Sequence, residues 1–162
     1  MNIFYTHPCP KQAARHLCMI HVNKMIIESA QMLSAAHHTL DDSCLPSLCK
    51  LAYPQHPCTV WVRSGALNYI WLLEHLKELG RIYKGYRGKH HATINNRLKA
   101  LNILPLNIPD IPFFAPPLCM PDRFKSINVC TSYTLYIQDK YREWQTRENP
   151  LNVVFYKEVQ ND

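Results

Sequence analysis

Glycine is scarce: the chain of 162 residues has four. Neither G-x-G-x-x-G nor a P-loop is present, and there is no G-x-S-x-G nucleophile elbow. The usual dinucleotide, nucleoside-triphosphate and serine-hydrolase signatures are therefore excluded. Period-two runs of β-branched and aromatic residues are sparse, which argues against a sheet. No stretch approaches the ~18 consecutive apolar residues of a membrane span. Met1 to Pro10 is polar, with two prolines, and has no apolar run behind a basic cluster, so no secretory signal is read there. The expectation is a cytoplasmic protein (host-cell cytoplasm if viral) with no membrane partner.

Seven cysteines are present, but no C-x-x-C, and Cys44 to Cys49 is a loose C-x4-C. An odd count without a signal peptide argues for reduced thiols, and the spacing argues against structural zinc. No metal and no cofactor are expected. Charged residues are also few, at 19%, against 47% hydrophobic ones. That composition is globular, and the length suits one domain spanning 1–162. The charges are not balanced. A net charge of +6 and a pI of about 9.0 favour polyanionic partners.

Apolar spacing near 3.6 predicts helices over 11–39, with a break near Cys18, and over 59–83, 90–101 and 122–146. Asp41-Asp42-Ser43 ends the first, and Gly85 and Gly88 mark the end of the second. Pro46, Pro54 and Pro57 make 43–58 a loop. Residues 102–121 hold six prolines and are read as an irregular segment, long enough to suggest a functional role. Val153 to Tyr156 reads as a short strand or an apolar flap. The fold class is therefore mainly α: a compact helical bundle with long proline-rich loops and little or no sheet. Trp61, Trp71 and Trp144 are assigned to the core.

The first long helix is apolar nearly all round except for one stripe. At 100° per residue, His21, Lys24, Glu28 and Gln31 fall within an arc of about 80°. Two readings stand. In one, Lys24 and Glu28 form an i,i+4 ion pair on a solvated face. In the other, the stripe lines a cleft with Glu28 as acid/base or electrostatic stabiliser and Lys24 beside it.

Between Glu78 and Asp110 there is no acidic residue. Arg81, Lys84, Arg87, Lys89, His90, Arg97 and Lys99 fall in this stretch, with Tyr83 and Tyr86 interleaved. Cations suit phosphate contacts, tyrosines stack on extruded bases, and Gly85 and Gly88 allow close approach of a phosphate. Part of the run is equally a helix end whose cations complement the dipole. His7 and His56 each precede a proline and suit turn corners. With His16 they complete the candidate cleft. His37-His38 and His90-His91 are expected at the surface.

These residues carry a resemblance. Met1-Asn2-Ile3-Phe4-Tyr5-Thr6-His7-Pro8 resembles the opening of pyrimidine-dimer DNA glycosylases of the endonuclease V type. The helix through Leu17, Val22 and Glu28 resembles the one carrying that family's catalytic glutamate, and Gln55-His56-Pro57 its Asn-His-Pro turn. The segments His21 to Gln31 and His56 to Trp61 are also similar to a set of small tailed-phage proteins. The resemblance covers about residues 1–92. It implies a small helical enzyme acting on double-stranded DNA with damaged or modified bases. Its N-terminal amine would attack the sugar C1′ and form a Schiff base. Glu28 matches the glutamate, with Lys24 and His21 as cleft partners. The amine is that of Asn2 where Met1 is removed, and otherwise that of Met1. Ile20 and Ile27 stand where relatives place basic residues, and Lys24 has no counterpart in the dimer-specific enzymes. The expectation is a DNA glycosylase/AP lyase of DNA repair. The alternatives are a non-catalytic nucleic-acid-binding phage protein on the same scaffold, or an enzyme acting on free nucleotides.

Overall fold

A computed structural model describes residues 1–157, so the last five positions of the chain lie outside it. Its elements are α1 (Pro10–Arg15), α2 (Met19–Asp41), α3 (Pro57–Arg63), α4 (Ala66–Arg87), α5 (Ala92–Leu101), a 3-10 turn (Asp122–Phe124) and α6 (Val129–Thr146). The architecture is all-α, and no strand occurs among the described residues.

Helix α2 is the axis of the core. Val22, Met25, Ile26, Ala30 and Leu33 are fully buried. The helix packs against α3, α4 and α5, while α1 lies on α4. Proline at the first position of α1 costs no hydrogen bond, because that N–H has no intrahelical partner anyway. No side chain caps the start of α2. Its orphan donors are taken up tertiarily: Cys18 N–H donates to the Tyr141 hydroxyl of α6 (3.0 Å) and Met19 N–H to the Val154 carbonyl (2.8 Å). The segment 153–156 is thus an apolar flap across the α1–α2 joint, with Phe155 edge-on to Tyr141.

The helix expected over 59–83 is two helices. Ser64 ends α3, and Gly65 enters α4 with extended backbone (φ −167°). A Cβ on Gly65 would sit 2.9 Å from Ile111 Cγ1, because the proline-rich segment crosses this joint and Ala66 N–H donates to the Pro109 carbonyl (2.8 Å). Gly85 does not end α4. It lies inside the helix, where the Tyr156 ring covers its bare Cα and leaves no room for a side chain. Gly88, with φ of 68°, is the true C-cap, and its N–H donates to Lys84 O (2.8 Å). His37 is buried, not superficial. Its Nε2 lies 3.0 Å from the Tyr69 hydroxyl, which donates to Leu101 O (2.9 Å).

Residues 102–121 form an irregular strap. Six prolines deny it a regular hydrogen-bond ladder, so side chains take up its backbone groups. The Asp41 carboxylate accepts from Leu106 and Asn107 N–H, Trp61 Nε1 donates to Phe114 O (2.8 Å), and the Tyr133 hydroxyl donates to Pro117 O (2.6 Å).

Two core histidines set the acid limit of this fold. His75 stacks on Trp71 with both ring nitrogens unpartnered, and burial depresses its pKa to about 3. His21 lies against Phe4 and Trp144, and burial, then Lys140 and Lys24, depress its pKa likewise to about 3. Above pH 6.5 both are neutral, folded or unfolded. Below it the unfolded chain gains protons that the folded chain refuses until about pH 3. Stability should therefore fall through that window by about 1.4 kcal/mol per pH unit for each histidine. Urea midpoints measured against pH will read this. His75→Leu should change neutral-pH stability by less than about 1 kcal/mol, since an unpaired polar ring is replaced by an apolar group, and should flatten the acid slope. An unchanged slope contradicts the assignment.

Candidate active site

The polar stripe of α2 faces the amino-terminal segment. Asn2 to Thr6 runs buried through the molecule, and this places Asn2 over the middle of α2. Asn2 N–H donates to Glu28 Oε2 at 3.3 Å. On the other side, Lys24 Nζ stands 3.6 Å from Glu28 Oε1. Lys24 is 59% exposed and Glu28 16%, so the carboxylate sits in a recess with a solvated cation at its rim. The i,i+4 pair and the recessed carboxylate are thus found together.

Asn2 is almost buried, and its backbone N–H and both polar atoms of its side chain are engaged. Its Oδ1 accepts from Ile3 N–H (2.8 Å) and its Nδ2 donates to Cys119 O (2.9 Å). Met1 is half-buried, and its sulfur accepts from the Thr59 hydroxyl at 3.7 Å. His56 Nδ1 accepts from Cys58 N–H (3.2 Å) and caps α3. Burial lowers the His56 pKa, the charge of the amino terminus lowers it further, and Glu28 pulls the other way. The same amino-terminal charge acts on Cys58 and Cys119. Amine, Glu28, His56 and the two thiols therefore occupy one neighbourhood. Cys58 Sγ donates to Cys119 Sγ at 3.5 Å. This bond and burial push Cys58 up, while the bond, working against burial, holds Cys119 down to about 7, so the half-exposed Cys119 gives up its proton more readily than Cys58.

Other candidates stand elsewhere. His21 is 1% exposed, with Nδ1 3.1 Å from the Tyr141 hydroxyl, under α6 and two turns from Glu28. It shares the stripe by angle and not by surroundings. Gln31 is half-buried on the Glu28 side. His7 Nδ1 accepts from Cys9 N–H (2.9 Å) in a turn. His16 bonds the Thr6 hydroxyl (3.0 Å) and lines a different cleft of about 450 Å³ with Arg15 and Gln138.

The basic run divides. Arg81 is tied to Glu78, which is 5% exposed and also receives Arg15 Nε at 2.8 Å, so its charge is committed to a half-covered ion cluster. Lys84, Tyr86, Arg87, Lys89 and His90 are exposed at the end of α4, with the Arg87 guanidinium 5.1 Å from the Tyr86 ring centre. Tyr86 and Arg87 share a cleft of about 380 Å³ with Ile20 and Asn23 of α2. Asn23 is roughly 8 Å along the α2 axis from Glu28. Arg97 instead grips the Pro46 carbonyl, and Lys99 lines an apolar cleft of about 700 Å³ with His37, Asp41 and Leu106. Those two lie roughly 20 Å along α2 from the Arg87 cleft.

The convergence of Cys58 and Cys119 was invisible to spacing, since 61 residues separate them. Among the described residues no helix is long and apolar enough to cross a membrane. No family model, curated protein or solved structure matches the chain at a significant level.

The divided cations make a measurable distinction. Arg81→Ala leaves Glu78 with one cation fewer and should cost about 1–2 kcal/mol in urea unfolding, discounted for its partial exposure. Lys84→Ala, on an exposed position, should stay within about 0.5 kcal/mol of the parent. Equal costs would show that Arg81 is not a structural ion-pair member.

Proposed function

We propose that the chain is a DNA glycosylase/AP lyase acting on damaged or modified bases, with Glu28 as its central carboxylate. The supporting observation is the 3.3 Å approach of Asn2 N to Glu28 Oε2 in a recess rimmed by Lys24. The resemblance implies a pairing of the first nitrogen with the glutamate, and this contact lies at or next to that nitrogen. Where Met1 is removed, that nitrogen is itself the free amine; where Met1 stays, its amine is one residue away.

In this reading the amine nitrogen attacks C1′ of the target nucleoside. The N-glycosidic bond breaks, and the base leaves with a proton. The C1′–O4′ bond then opens, O4′ taking a proton from solvent, and the iminium so formed is stabilised by the Glu28 carboxylate, which then takes the C2′ proton. Loss of that proton expels the 3′ phosphate by β-elimination. Reaching C1′ requires the nucleotide to leave the stack. Lys84, Arg87 and Lys89 supply the phosphate contacts and Tyr86 a stacking face, since these are exposed together at the end of α4 beside the start of α2. Arg81, Arg97 and Lys99 are not assigned to that surface, because their contacts lie elsewhere.

Borohydride added to the protein with abasic duplex should trap a covalent complex, and peptide mass mapping should locate the adduct at the first residue. Glu28→Gln should abolish turnover while leaving duplex affinity nearly unchanged. Substituting Lys84, Arg87 or Lys89 by alanine should each lower the salt slope of binding by about one. If no adduct forms between mildly acidic and neutral pH, the catalytic reading fails. Salt-dependent duplex binding without trapping would favour the non-catalytic alternative, and tight mononucleotide with weak duplex binding the free-nucleotide one.

A further inference from the structure

Beside the recess, two thiols and an imidazole converge from separate parts of the chain. The Sγ atoms of Cys58 and Cys119 and a ring nitrogen of His56 all lie within 4.8 Å of one another. His56 and Cys58 sit at the start of α3, and Cys119 comes from the end of the proline-rich strap. We propose that His56, Cys58 and Cys119 form a zinc(II) site with one exchangeable fourth position. The glycosylase reading is not needed for this site.

The dimensions suit the ion. With Zn–S near 2.3 Å, tetrahedral geometry sets two thiolate sulfurs about 3.8 Å apart, and a sulfur and a nitrogen about 3.6 Å apart. Cys58 and Cys119 stand at 3.5 Å as free thiols, so they need to move by only a few tenths of an ångström. The imidazole must close by about an ångström at most, which side-chain rotation supplies. Its Nδ1 now takes the long 3.2 Å cap from Cys58 N–H, a bond weak enough to yield to a metal. Two thiolates and an imidazole select zinc over the oxygen-seeking cations. Among the described residues the group has three members, and three protein ligands with an open position is the arrangement of reactive zinc centres.

The backbone around the group is held as second shells usually hold ligands. Asn2 Nδ2 donates to the Cys119 carbonyl itself (2.9 Å), and the Tyr133 hydroxyl donates to Pro117 O (2.6 Å) two residues earlier. Cys58 is fully buried on the first turn of α3. On loading, both thiols lose their protons to solvent and the ion takes their place. The thiol–thiol hydrogen bond is thereby exchanged for two metal–sulfur bonds.

Cobalt(II) is the probe. The reduced, metal-stripped protein titrated with Co²⁺ should show intense near-ultraviolet thiolate-to-metal absorption and visible bands of tetrahedral strength. These should saturate at about one ion per chain and be displaced by Zn²⁺. Cys119→Ala should remove most of the ultraviolet band and weaken Zn²⁺ binding at least about 100-fold. Cys119 is half-exposed on the strap, so this variant should keep the parent's circular dichroism. Cys44→Ala, at an exposed position of the 43–50 loop, should bind like the parent. An octahedral cobalt spectrum without the thiolate band overturns the site. So does unchanged affinity in Cys119→Ala, or a Cys58–Cys119 disulfide that persists under reductant. DNA is absent from every measurement, so the outcome is separable from that of borohydride trapping.

Discussion

The structure around Glu28 depends on the burial of one small polar residue. Asn2 lies inside the protein with its backbone N–H on Glu28, its Oδ1 on Ile3 N–H and its Nδ2 on Cys119 O. A buried amide left unpaired is costly, so these bonds are close to obligatory once Ile3, Phe4 and Tyr5 are packed in the core. The apolar residues pull the segment inward. The asparagine then dictates what must stand next to it: a carboxylate from α2 on one side and the strap on the other. Replacing Asn2 by an apolar residue of similar size would leave the Cys119 carbonyl without its donor. The position of Cys119 would then rest on its own N–H bond to Pro117 O, on the Pro117–Tyr133 bond, on the thiol contact with Cys58 and on packing.

The strap obeys the same accounting. Proline removes donors and forbids ladder formation, so the remaining carbonyls and N–H groups must find side chains. Asp41, Trp61, Asn68 and Tyr133 provide them from α2, α3, α4 and α6. A segment that would be a liability as a free loop becomes a tie across four helices. Its exit, at Cys119, is correspondingly well placed. The break between α3 and α4 belongs to this arrangement, because Ile111 occupies the space where a side chain at position 65 would stand.

What the sequence made legible follows from how local each cause is. The all-α class, the break near Cys18, the irregular strap and the stripe carrying Lys24 and Glu28 are periodicity and proline chemistry, and all can be read within a window of a few turns. The split at Ser64-Gly65 is hidden from periodicity because apolar spacing continues through both helices, and the reason for the split arrives from residue 111. His21 and Glu28 share an angle on one helix, yet one is sealed beneath Phe4, Tyr141 and Trp144 while the other stays at the surface. Helical periodicity encodes the angle but not the neighbour. Local sequence marks Gly85 as a terminus, whereas its role is to admit Tyr156, a contact made across 71 positions.

Charge shows the same limit most sharply. A net charge of +6 and an acid-free run from 79 to 109 suggest one cationic face. Folding distributes that run among three tasks. Arg81 offsets a nearly buried Glu78, Arg97 anchors the 43–48 loop through Pro46, and the end of α4 presents Lys84, Arg87 and Lys89 outward, with Lys99 exposed separately on α5. That end is also where cations are most stable, because the unsatisfied carbonyls of the last turn lower the energy of nearby positive charge. It abuts Ile20 and Asn23, the start of the same exposed face of α2 that leads to Lys24 and Glu28. Under the proposed DNA-binding reading, a strand held at the α4 terminus would lie at the end of the α2 face that carries Lys24 and Glu28. The adjacency of those two surfaces, more than the total charge, is the feature that the proposed reading uses.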